Sequence, residues 1–85
     1  MKGLIIMNNR PTVCPFQLVA KDLNTNLDEA KEIYQQDPDD FVQIAVGRAD
    51  KLLYKIDMTL LDGVWNKLRK QTRINLELNI QGYSL

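Results

Sequence analysis

Opposite charges are concentrated in two blocks of this sequence, and these blocks hold most of the groups able to do chemistry. Residues 28–50 contain seven acidic side chains and two basic ones, whereas residues 51–73 contain six basic side chains and two acidic ones. A surface rich in carboxylates attracts basic protein surfaces, and a surface rich in Lys and Arg attracts phosphates. The alternative for both blocks is a pair of solvated helix faces that attract one another.

The acidic block is the first candidate binding surface. Clustered carboxylates steer a basic partner toward them and compete there with nucleic acid. Most of them also fall in the first turns of predicted helices, where negative charge complements the helix dipole. Tyr54, placed on the polar side of the central helix, adds an aromatic side chain of the kind that anchors protein contacts. The predicted protein-interaction residues are Asp28, Glu29, Glu32, Asp37, Asp39, Asp40 and Tyr54.

The basic block is the second candidate, and it has the outline of a helix-turn-helix. The motif would consist of a central helix, a short turn near residues 57–59 and a basic helix near 60–73. Its Lys and Arg side chains would contact DNA phosphates, and Asn66 or Gln71 would contact the edges of the nucleobases. The turn lacks the glycine that is frequent in this motif. The pI of about 6.1 is also low, since nucleic-acid-binding domains often exceed about 9. The predicted nucleic-acid-binding residues are Arg48, Lys51, Lys55, Asn66, Lys67, Arg69, Lys70 and Arg73.

The sequence contains few side chains of the types that catalyse reactions or bind metal ions. The 85-residue chain has no histidine, one cysteine (Cys14) and one serine (Ser84), so no histidine base can activate a nucleophile. One thiol supplies neither a Cys/His zinc site nor a disulfide within the chain. The acidic run from Asp22 has Leu27 and Ile33 where a calcium loop requires glycine and glutamate. We therefore predict no enzyme activity, no metal site and no cofactor.

The apolar segments predict a protein without membrane contact. The longest apolar run, residues 4–7, is far shorter than the roughly 20 residues of a membrane helix. Lys2 is not followed by the apolar region of a signal peptide. Cys14 lies between Val13 and Pro15 and is predicted to be a small packed residue. Because a single unpaired thiol fits a reducing compartment, we expect a cytoplasmic protein.

Two short helices are predicted in the first half of the chain. Pro15 suits the first position of a helix near 15–23, and apolar residues follow at helical spacing. A strand over 12–21 is the alternative there. The polar run 24–26 supplies caps for a second helix near 27–36.

The central helix has the clearest local signal. Asp37 can cap it, Pro38 suits its first position, and Asp39 and Asp40 complement the dipole in its first turn. Its apolar arc covers roughly 140–160°, which indicates packing on two sides. We predict that it runs to about Asp57.

A fourth helix and two strands complete the prediction. The helix begins at Thr59 or Gly63, includes Trp65 on its apolar side, and ends near residues 72–73. Apolar and polar residues alternate over 74–81, which indicates a half-buried strand. This strand pairs with a strand over 2–8, or it pairs with a second chain to form a homodimer.

These features predict one helix-rich α+β domain over residues 1–85, with about four helices and short N- and C-terminal strands. The leading hypothesis is a non-enzymatic interaction module that binds and modulates a larger protein, such as an inhibitor from a phage or mobile element. The alternative is a dimeric helix-turn-helix regulator that binds DNA.

Overall fold

The computed structural model describes residues 10–82, which form a mostly helical α+β fold as predicted. A short strand precedes three helices, and a second strand is followed by two 3-10 helices and a final helix. The elements are β1 Thr12–Val13, α1 Pro15–Asp22, α2 Leu27–Gln36, α3 Pro38–Leu52, β2 Lys55–Ile56, 3-10 helices at Met58–Leu60 and Asp62–Lys67, and α4 Lys70–Gln81. The predicted strand over 2–8 lies outside the described residues.

Local capping chemistry explains where the first three helices begin. Pro15 is the first residue of α1. The Asn26 side-chain oxygen accepts a hydrogen bond from the Glu29 N–H at 2.9 Å, and Asp37 accepts one from the Asp40 N–H at 3.2 Å. Each bond satisfies a backbone donor that has no partner within its own helix. The three predicted starts are therefore confirmed.

Helix α3 is the central helix, because it packs against α1, α2 and α4. Its residues Phe41, Ala45 and Ala49 are fully buried. The rings of Phe16, Tyr34 and Phe41 form a cluster with centroids 4.9–5.2 Å apart, which joins α1, α2 and α3. The tilted and edge-on ring contacts stabilise this junction beyond the area they bury.

The predicted end of α3 near Asp57 is wrong, because the helix ends at Leu52. Leu53 follows in the left-handed conformation, with φ 60° and ψ 45°. Leu52, the last residue of the helix, and Leu53 after it are 42% and 48% exposed. The chain turns at this point, and Ile56 enters the core from β2 instead of from the helix.

Leu53→Gly is expected to raise the free energy of unfolding by about 0.5–1 kcal/mol. The left-handed conformation costs a side chain roughly 1–2 kcal/mol, of which the greater freedom of glycine in the unfolded chain offsets a part. Urea denaturation measures the change. Leu52→Gly is the control, since this leucine is similarly exposed but helical, and its replacement should destabilise by about 1 kcal/mol. A loss of stability at both positions would contradict the prediction.

Strands β1 and β2 form a two-stranded parallel sheet, in which Val13 lies beside Ile56. The Lys55 N–H donates to the Pro11 carbonyl at 2.8 Å, and the Asp57 N–H donates to the Val13 carbonyl at 3.0 Å. Helices α1, α2 and α3 lie between the two strands in the sequence. Strand β1 lies at the start of the alternative strand over 12–21, whose residues from Pro15 are helical instead, and β2 lies in a segment that we predicted as helix.

The single helix predicted near 60–73 is not formed. Two 3-10 helices and an extended stretch at Leu68 and Arg69 occupy most of this segment. Asp57 caps the first 3-10 helix, since its carboxylate accepts hydrogen bonds from the Thr59 N–H at 3.1 Å and the Thr59 hydroxyl at 2.7 Å. Trp65 is half-buried against the core, on the apolar side as expected.

Residues 74–81 belong to α4, so the predicted strand there is wrong. The helix buries Thr72, Leu76 and Asn79, which lie on one face, and leaves Ile74 40% exposed. Its sequence is rich in Lys, Gln, Arg, Leu and Glu, which favour helices, and it ends at Gly82 with φ 92°. Because residues 74–81 are helical, they provide no strand for the homodimer that we predicted.

Candidate functional site

Polar side chains line the contact between α3 and α4. Asp39, Gln43 and Asp50 fall on one face of α3, and Thr72 and Asn79 fall on one face of α4. The two helices run in the same direction, because Asp39 meets the start of α4 and Asp50 meets its end. We call this contact the polar seam. It consists of Asp39, Gln43, Gly47, Asp50, Thr72, Asn75 and Asn79.

The Asp39 carboxylate organises the first end of the polar seam. One oxygen accepts a hydrogen bond from the Arg69 N–H at 2.7 Å, and the other accepts one from Gln43 Nε2 at 2.7 Å. Gln43 Nε2 also lies 3.3 Å from the Thr72 hydroxyl. Helix α4 has no acidic residue in its first turn and no side-chain cap of its own. Asp39 on α3 therefore supplies the negative charge that the start of α4 favours.

Asp39 remains ionised in the folded protein at neutral pH. Burial raises its pKa, but hydrogen bonds from the Arg69 backbone, Thr72 and Gln43, together with the charge of Arg69, outweigh burial and hold the pKa below the ordinary 3.8. The Arg69 Nε lies 3.9 Å from this carboxylate. Because Asp39 is only 8% exposed, it is not part of the interaction surface that we predicted, and its role is to stabilise the fold.

The fully buried Asn79 closes the second end of the polar seam. Its side-chain oxygen accepts a hydrogen bond from the Ile56 N–H at 2.9 Å. Its amide nitrogen donates to the Tyr54 carbonyl at 2.9 Å and to Asp50 Oδ1 at 2.8 Å. Arg10 Nη1 lies 3.5 Å from the same Asp50 oxygen. One amide therefore joins α4 to β2 and to the end of α3.

A groove of about 430 Å³ opens along the polar seam between these two ends. A larger depression of about 670 Å³ lies between α1 and the start of α2, but Ala20 is the one buried residue among those that line it. We take the α3–α4 groove as the candidate site because it adjoins buried polar side chains. Its lining residues are Gln43, Val46, Gly47, Asp50, Arg69, Gln71, Thr72 and Asn75.

Gly47 is the unusual residue of this groove. A Cβ placed there would meet no described atom within 4 Å apart from the adjoining residues of its own helix. The residue lies inside α3 and does not have the positive φ that favours glycine. A glycine inside a helix costs about 1 kcal/mol relative to alanine. Within the described residues, neither packing nor backbone conformation requires that cost.

Five of the six predicted acidic residues are exposed. None of the ion pairs found within residues 10–82 includes them. They follow the outer side of α2 and its junction with α3, and we call them the acidic surface. It consists of Asp28, Glu29, Glu32, Asp37 and Asp40.

Tyr54 is not the exposed aromatic residue that we expected. It follows α3 instead of belonging to it, and its side chain is half-buried against the core. Its carbonyl accepts the hydrogen bond from Asn79. Tyr54 therefore positions the turn between α3 and β2.

The predicted nucleic-acid-binding residues do not form one surface. One group lies on the last turns of α3 and in β2, and the other lies around the start of α4, roughly 15 Å away at 1.5 Å per residue of α3. The helix-turn-helix geometry is not formed, because residues 53–69 separate the two α-helices. Arg48 pairs with Asp22 at 3.6 Å. The first group is Arg48, Lys51 and Lys55, and the second is Asn66, Lys67, Arg69, Lys70 and Arg73.

Among residues 10–82, one ion pair joins the acidic block 28–50 to the basic block 51–73, and it lies between Arg69 and Asp39. Within residues 10–82, no cluster of three or more His, Cys, Asp or Glu side chains is placed to hold a metal ion. No helix in that range is long and apolar enough to cross a membrane. No known protein family, curated protein or solved structure matches this chain.

Proposed function

We propose that this chain is a small, non-enzymatic interaction module that binds and modulates a larger protein through the acidic surface. The observation that supports the proposal is the set of five exposed carboxylates that pair with no base among residues 10–82. Such a surface complements a basic patch, as on a protein that handles nucleic acid. An inhibitor from a phage or mobile element would act in this way. We place it in the cytoplasm, where a lone thiol such as Cys14 stays reduced.

Asp28 and Glu32 are the most informative members of the acidic surface. They lie on the side of α2 opposite its buried residue Ala30. Like charges four residues apart weaken a helix by a few tenths of a kcal/mol. The helix dipole at the start of α2 stabilises the negative charge of Asp28, but it does not stabilise that of Glu32, which lies beyond the first turn. The stability of the helix therefore gives no reason for a carboxylate at Glu32, whereas a basic partner does.

Reversal of both charges, in the variant Asp28→Lys/Glu32→Lys, is expected to weaken partner binding at least about tenfold while folding is retained. The tagged protein is first used to capture its partner from lysate of the source cells, with and without nuclease. Calorimetry on the purified partner then compares the variant with the native chain. The buried Asp39 is a poor choice for this test because its reversal would disrupt the start of α4.

The matched control is Asp62→Lys/Glu77→Lys, which changes the net charge equally at two exposed acids outside the acidic surface. This control should bind as the native chain does. Equal weakening by both variants would overturn the assignment of the acidic surface. A partner lost on nuclease treatment would favour the DNA-binding alternative, which a mobility shift abolished by Lys67→Ala, Lys70→Ala and Arg73→Ala would then establish.

A further inference from the structure

We propose that the α3–α4 groove binds an extended peptide segment of a partner protein through the backbone of that segment. The groove lies along the polar seam, and the proposal does not depend on the acidic surface. Three features carry it: a glycine that neither the packing nor the backbone of residues 10–82 requires, side-chain amides along both helices, and the length of the groove.

Gly47 leaves room for a second backbone to come close to α3. Apart from the adjoining residues of its own helix, no described atom lies within 4 Å of the place where its Cβ would stand, and its backbone is ordinary right-handed helix. Glycine is the residue that permits close approach of another chain. No side chain among residues 10–82 occupies this space, so a second backbone can approach α3 more closely at Gly47 than beside a residue that carries a side chain.

The polar side chains along the groove match the donors and acceptors of a peptide. Gln43, Gln71 and Asn75 carry amides, each with an acceptor oxygen and a donor nitrogen like those of a backbone peptide group. Gln71 Nε2 donates to Asn75 Oδ1 at 3.0 Å, and no other residue of the described chain bonds the Gln71 oxygen or the Asn75 nitrogen. The 2% exposed Thr72 holds Gln43 in place from beneath. The groove therefore presents side-chain amides that can bond to the backbone of a peptide.

The dimensions of the groove limit the ligand to a short segment. The residues of α3 that line the groove run from Gln43 to Asp50, roughly 10 Å at 1.5 Å per residue. An extended chain advances roughly 3.3 Å per residue, so about three residues span this distance. The volume of about 430 Å³ is typical of a binding site. The Arg69 side chain, 82% exposed at the first end, favours a carboxylate at that end of the segment.

A displayed library of random peptides, each of roughly nine residues and therefore longer than the groove, is the probe. Selection on the native chain should enrich peptides with an Asp or Glu near one end. Gly47→Leu fills the groove and should weaken their binding at least about tenfold. Gly63→Leu is the matched control, because Gly63 also has open space around its Cβ position but lies outside the groove. This control should bind the peptides as the native chain does.

Two further measurements separate backbone recognition from misfolding or side-chain binding. The melting temperature of Gly47→Leu should not fall, because leucine favours the helix and its Cβ lies in open space. N-methylation of single peptide nitrogens should weaken binding at least about tenfold at one position or more. The proposal is overturned if no peptide is enriched, if Gly47→Leu binds the peptides as well as the native chain does, or if every N-methylated peptide binds unchanged.

Discussion

Asn79→Ala is expected to lower the free energy of unfolding by about 3 kcal/mol, since each buried polar group left without a partner costs roughly 1–3 kcal/mol. The replacement removes hydrogen bonds to the Ile56 N–H, the Tyr54 carbonyl and the Asp50 carboxylate. Asn79 is completely buried, so water cannot replace its amide at Ile56 without opening the packing around it. Urea denaturation followed by circular dichroism measures the change.

Asn75→Ala is the control for this loss. Asn75 lies one turn earlier on α4, is half-buried, and its one hydrogen bond among the described residues is to the exposed Gln71. Its replacement should cost less than about 0.5 kcal/mol, as is usual for surface substitutions. Similar losses for the two variants would mean that the Asn79 hydrogen bonds do not hold α4 against β2.

Asp39→Asn is expected to destabilise the protein by about 2 kcal/mol at neutral pH, because hydrogen bonds to a charged group contribute roughly 1.5–3 kcal/mol. The amide keeps the size of the side chain but loses the charge, and its nitrogen cannot accept a bond from Arg69 or Gln43. Asp40→Asn is the control, since Asp40 is exposed and adjacent. We expect a loss of only a few tenths of a kcal/mol there.

The pH dependence of stability distinguishes the charge of Asp39 from its packing. The pKa of Asp39 in the folded protein lies below the ordinary 3.8. The stability that its ionised carboxylate contributes is therefore fully present above pH 3.8, and it is lost as the pH falls through the folded pKa. The difference in unfolding free energy between the native chain and Asp39→Asn should therefore shrink when the pH is taken below 3.8. A difference that stays constant from neutral pH into this acidic range would contradict the charge argument.

The helix starts were predictable because their signals are local. Pro15, Asn26 and Asp37 each act on backbone groups within a few residues of themselves, so the sequence pattern contains the whole interaction. The end of α3 was not predictable in this way. Leu53 takes a left-handed conformation that leucine disfavours, and the residues after it bond to distant parts of the chain: the Tyr54 carbonyl accepts from Asn79, and the Lys55 N–H donates to the Pro11 carbonyl.

The polar seam was missed because it depends on α4 being a helix. Over 74–81 the alternation of apolar residues indicates a strand, and this hides the helical spacing of Thr72, Leu76 and Asn79. Two signals favoured the helix: the helix-forming residues of the segment and Gly82 after it. Asp39 was interpreted as one dipole-complementing acid among several, since its bond to the Arg69 N–H crosses 30 positions of sequence.

The parallel pairing of β1 with β2 has a consequence for the order of folding. The strands are joined through three helices, so their pairing closes a loop of roughly 40 residues, whose entropic cost nothing offsets until those helices have packed. The Lys55 and Asp57 amides bond to Pro11 and Val13, and we expect them to become protected only after α1, α2 and α3 have come together. Hydrogen exchange at these two amides therefore follows the assembly of the helical core, although both lie outside any helix.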